Sequence, residues 1–258
     1  REGQSPFAIT AGLAFERHQA ENGAAALFTL YHQKGRLGPH EARLVDLSLR
    51  GNPSSAAAKL HHKALTQRLL RMKLQSDPQA PHLILKPRLA VSLLGVPHDV
   101  EPDALVASSQ NRFYRVVELK SYADRDGKTD EADIRSACRQ AAVGVYALRE
   151  TLTGLSVANP VLGVPAVTDL VLRRPGSMSP TVRSMALAGE YASIAGVLAT
   201  PPRDMATLEA LLRGIAPRAT LSDLRPRRDR RVADQLPARL PRALPAGPLL
   251  QGARAGRG

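Results

Sequence analysis

The chain has no tryptophan, and with five tyrosines and four phenylalanines its aromatic share is only 3%. Alanine and leucine must then fill the core, which favours close helix packing. There is one cysteine, Cys138. A single thiol excludes an internal disulfide framework, a Cys-rich zinc site and a cysteine-held cluster, so no iron–sulfur cluster is expected. No apolar run reaches membrane-spanning length, and no basic-then-apolar leader opens the chain. The expectation is a soluble, cytoplasmic protein with no membrane partner. A phosphate-binding P-loop and a dinucleotide fingerprint are both missing, which argues against an ATP-driven motor in this chain.

What is present is a globular composition: 258 residues, 43% hydrophobic and 23% charged. That suits one large domain, or one domain with a tail. Lysine and arginine outnumber aspartate and glutamate by 36 to 23, a net charge of +13. Such an excess commonly accompanies a polyanionic partner, nucleic acid first. Arginine far outnumbers lysine, so an arginine-rich composition accounts for part of it.

A shift in composition divides the chain into a domain at 1–215 and an Arg/Pro-rich tail at 216–258, expected to be disordered. Within the domain, 1–80 reads as helical, 81–190 as a sheet core and 190–215 as C-terminal helices. Residues 5–31 read as one or two helices, 35–51 as a second helix bounded by glycines, and 53–76 as a third. Strands are expected at 82–95, 102–109 and 112–122, the last two joined as a hairpin. A helix capped by Thr129 follows to about residue 152, then strands at 166–174 and 181–187, and helices at 190–198 and 204–215. The fold class expected is α/β: a mixed central sheet flanked by helices.

Four features carry the chemistry. They are Glu16 in GLAFE, Asp103 in PDALV, Glu118-Leu119-Lys120 in VVELK, and Gln140 in RQAAVGVY. Side chains alternate along a strand, so Val116, Glu118 and Lys120 share one face. If the preceding strand is an antiparallel neighbour, Asp103 lies beside Glu118. Two adjacent carboxylates repel unless a cation sits between them. Magnesium prefers oxygen, so Asp103, Glu118 and the Leu119 carbonyl make a plausible set, with Glu16 adding an oxygen directly or through water. An edge-strand face charged against aggregation explains Glu118 and Lys120, but not Asp103, Glu16 and Gln140 together.

In these motifs the chain resembles the PD-(D/E)XK nuclease superfamily, and within it the RecB-like branch, over roughly its first 190 residues. The resemblance implies a restriction-endonuclease-like fold and a magnesium- or manganese-dependent deoxyribonuclease. Asp103 and Glu118 would be metal ligands with Glu16 and the Leu119 carbonyl, Lys120 the catalytic lysine, and Gln140 the residue that positions substrate or the attacking water. The implied partners are DNA, or RNA, and a helicase or another subunit of DNA repair or phage defence. The branch usually places a tyrosine soon after the glutamine. Here Tyr146 is six residues on, about 120° round the helix at about 100° per residue, a departure from the pattern. The alternative is a nucleic-acid-binding or scaffold protein that retains the nuclease fold without cleavage.

Overall fold

The computed structural model describes residues 6–48, 55–93, 96–155 and 163–199. The chain divides into two units, Arg1–Thr220 and Leu221–Gly258. The second unit lies outside the described residues, as do the expected tail and the expected helix at 204–215.

Helix α1 (Pro6–Gln33) is broken by a bend where Asn22, Gly23 and Ala24 take φ of 50°, 65° and 58°. These left-handed values interrupt the helical ladder at an Asn-Gly pair, the residue types that adopt them most readily. The expected helix at 35–51 does not form. Gly35, at φ 63°, turns the chain away from α1, and Leu44–Asp46 becomes a short strand, β1. Leu44 and Val45 pack into different clusters on opposite faces, as a two-residue period demands. Helix α2 (Ala56–Leu74) starts where the Ser55 hydroxyl accepts the Ala58 amide.

The expected strand at 82–95 is two strands. β2 (Leu83–Leu85) ends at Lys86, whose φ is 49°, and β3 (Leu89–Leu93) begins after Pro87. β3 pairs with β4 (Val96–Val100), a strand the sequence reading missed, as a separate two-stranded sheet. β5 (Ala104–Val106) and β6 (Arg115–Ala123) form the expected antiparallel hairpin. Helix α3 (Glu131–Gly154) is capped by Asp130, which accepts the Ala132 and Asp133 amides, and not by Thr129. The Thr129 hydroxyl instead reaches the Asp124 carboxylate and the Ala123 carbonyl, one residue too early for the cap. β7 (Val167–Arg173), β8 (Pro180–Ala186) and α4 (Ala188–Ala199) follow near their expected places.

The main sheet has six strands in the order β1-β2-β5-β6-β7-β8. The β1–β2 and β6–β7 pairs are parallel and the others antiparallel, so the sheet is mixed. α3 is the crossover between parallel neighbours β6 and β7, the connection parallel pairing requires. One face packs on α3 through Leu105, Val116, Leu170, Ala141, Val145 and Leu148. The other packs on α1 through Leu85, Val117, Leu119, Val171, Phe15 and Leu27. Each fully buried aliphatic side chain contributes about 1.5–3 kcal/mol, and β6 has such residues on both faces. At the start of β6, Arg115 pairs at 3.1 Å with the buried Asp169 of β7, which also accepts Ser184 Oγ of β8 at 2.6 Å. Among the described residues, no helix is long and apolar enough to cross a membrane.

Candidate active site

β5 is three residues long and β6 is nine, so the two strands part after Val117. Extending the register Ala104↔Val117 sets Asp103 opposite Glu118 and Pro102 opposite Leu119. Proline has no amide to give a ladder, so pairing stops there. The Leu119 amide would be orphaned at this point. Instead it donates to Asp103 Oδ2 at 2.8 Å. In an extended residue the amide and carbonyl point to the same edge, so the Leu119 carbonyl is also directed into the gap between the strands.

Five of the sequence-selected residues, Glu16, Asp103, Glu118, Leu119 and Lys120, gather at this fork. Lys120 Nζ lies 2.8 Å from Glu118 Oε2 and 3.6 Å from Asp103 Oδ2. Glu16 approaches from α1, where Phe15 and Gln19 are fully buried and Gln19 donates to the Met178 carbonyl, tying that side of the helix to the β7–β8 turn. The Glu16 carboxylate is held by Lys86, whose Nζ lies 2.6 Å from Glu16 Oε2 and 2.6 Å from Asp103 Oδ1. Lys86 was not selected from the sequence. It reaches the site because β2 is the sheet neighbour of β5, and a lysine before a proline at a strand end carries no signal of that.

Electrostatics separates the two central carboxylates. Burial works to raise both. For Asp103, the Lys120 and Lys86 ammonium groups and the Leu119 amide outweigh it, and the carboxyl is held below its ordinary value. For Glu118, burial wins over Lys120, with the Asp103 charge adding to it, and the carboxyl is pushed up to about 7. Burial opposes the charge on both lysines, but Asp103 and Glu16 around Lys86, and Glu118 and Asp103 around Lys120, keep them firmly protonated.

Gln140 is half-buried on α3, one turn before Gly144. Gly144 marks where α3 touches the site strands: a Cβ built there meets Val116 Cγ1 at 3.1 Å and Pro102 Cγ at 3.3 Å. Gln140 shares that side of the helix. It makes no hydrogen bond to those five residues or to Lys86 among the described residues. Tyr146 is elsewhere, packed on Tyr191 of α4 with ring centroids 5.9 Å apart.

Among the described residues, no three His, Cys, Asp or Glu side chains form a ready ion cage. In chemical kind the donors at the fork fit a hard cation: two carboxylates already converging on one positive charge, and a backbone carbonyl released from the ladder by Pro102. Comparison with known proteins finds no match, whether to a family model, a curated protein or a solved structure.

Proposed function

We propose that the chain is a metal-dependent nuclease of the PD-(D/E)XK superfamily, RecB-like, hydrolysing phosphodiester bonds of DNA. The observation that carries this reading is the meeting of Asp103, Glu118 and Lys120 where β5 and β6 part. A restriction-endonuclease-like fold agrees with the mixed sheet between helices. The net charge of +13 suits a polyanionic substrate.

Asp103, Glu118 and the Leu119 carbonyl would hold magnesium or manganese. When bound, such an ion supplies Lewis acidity and a water of lowered pKa. Lys120 orients the attacking water and offsets charge as it builds on the phosphate. Asp103 does double duty, because its Oδ2 also fixes the Leu119 backbone at 2.8 Å. Gln140, on the α3 side of the fork, positions the substrate or that water. The setting this reading implies is cytoplasmic, beside a helicase or another subunit of DNA repair or phage defence.

The test is cleavage of single- and double-stranded DNA with magnesium by the wild type and by Lys120→Ala. Equal cleavage by both overturns the reading. One observation favours a second reading, a nucleic-acid-binding protein without cleavage: a lysine ammonium already spans each pair of carboxylates. That protein would bind DNA in a salt-dependent way, with or without magnesium or manganese.

A further inference from the structure

Lys86 is the member of the cluster that the nuclease reading leaves without a role. Its backbone is fixed from three directions. The amide donates to the Asp103 carbonyl at 2.9 Å, the carbonyl accepts His62 Nε2 at 2.8 Å, and φ is 49°, with Pro87 next. A lysine rarely takes a left-handed backbone, and strain of this kind persists only where the surroundings hold it. Here it delivers the ammonium between Glu16 and Asp103, 2.6 Å from each.

An ion bridging Glu16 and Asp103 would need that same position. The two lysines are not held alike. Lys86 is close to both its carboxylates, whereas Lys120 is 2.8 Å from Glu118 and 3.6 Å from Asp103. The Leu119 carbonyl, directed into the gap between β5 and β6, offers a further oxygen from the strand that carries Glu118. The Glu118 side of Asp103 is therefore the side on which a divalent ion gains most by replacing an ammonium.

We propose that Lys86 is a resident cation: its ammonium permanently fills the Glu16–Asp103 position, so that the protein takes one divalent ion, on the Glu118 side of Asp103. This rests on the metal-dependent nuclease reading. Paired metal ions stabilise both the attacking and the leaving oxygen of a phosphoryl transfer. In this site the Lys86 ammonium provides the second positive charge. Glu16 acts as a positioning residue that steadies Lys86, and not as a metal ligand.

The experiment is manganese titration of the full chain without nucleic acid, read by calorimetry and by electron paramagnetic resonance. The wild type should bind one ion. Lys86→Met should bind a second, and adding Glu16→Gln to Lys86→Met should remove it. Glu16→Gln alone, which keeps Lys86, should change manganese affinity by less than about tenfold, the lower end of what loss of a supporting contact costs a metal site. Two ions in the wild type, or one in a folded Lys86→Met, overturns the proposal while leaving the nuclease reading standing. A larger affinity loss in Glu16→Gln also overturns it, with no need for Lys86→Met to fold. No manganese bound by the wild type or by Lys86→Met overturns the proposal and the metal-dependent reading together.

Discussion

The Asp103 carboxylate accepts the Leu119 amide at 2.8 Å, so one side chain both closes the broken end of the β5–β6 ladder and faces the candidate site. Asp103→Asn keeps an oxygen for that amide, whereas Asp103→Ala leaves a buried donor without a partner. Both lose the negative charge between the lysines, so the difference between them isolates the amide contact. Asp103→Ala should be less stable than Asp103→Asn by about 1–3 kcal/mol in urea unfolding. Equal midpoints would show that the contact does not matter to the fold.

Lys120→Met tests the chemistry apart from the fold. Under the nuclease reading, cleavage should fall by about 10²–10³-fold, the usual loss when a group that stabilises transition-state charge is removed. Circular dichroism should stay that of the wild type, because Lys120 projects from the partly exposed second half of β6. Retained cleavage in a folded variant would remove Lys120 from the mechanism.

Glu118 predicts a pH dependence of stability. Its carboxyl is raised to about 7 from an ordinary 4.5, chiefly by burial. A raised value in the folded state means that folding retains a proton the unfolded chain releases. The contribution is fully present below about 4.5 and is lost as pH rises through about 7. Between about pH 5 and about pH 8 the wild type should therefore lose stability relative to Glu118→Gln, which has no charge to bury. Thermal melts of both proteins across that range provide the check, and parallel curves would contradict it.

Gly144 predicts a packing limit. A Cβ there already lies 3.1 Å from Val116 and 3.3 Å from Pro102. A branched side chain must push α3 away from the strands that carry Asp103 and Glu118. Gly144→Val should destabilise by about 1–3 kcal/mol, measured by chemical denaturation. Wild-type stability would mean that α3 can shift freely at this contact.

Much of the site was legible because a strand alternates strictly and a hairpin fixes who faces whom. Glu118 and Lys120 share a face on that ground alone, and PDALV needed only an antiparallel neighbour to set Asp103 against Glu118. The strands that were misread are short or interrupted. β1 is three residues, too few to distinguish a period of two from a helical one, and its Leu-Val pair fits either. β4 contains Pro97, which counts against a strand until its place in a separate two-stranded sheet is known. Lys86 was illegible for another reason. Its role depends on β2 lying beside β5 and on a left-handed backbone, neither of which leaves a mark in the local sequence.

Pro102 has a consequence beyond the proline itself. A residue with an amide at that position could bond the Leu119 carbonyl, and its own carbonyl could take the Leu119 amide. The ladder would then zip on by another pair, the Asp103 side chain would lose its backbone anchor, and the Leu119 carbonyl would no longer be free. Sheet growth and the proposed ion site thus compete for the same two backbone atoms. The opening at this fork exists because one strand is made to stop early.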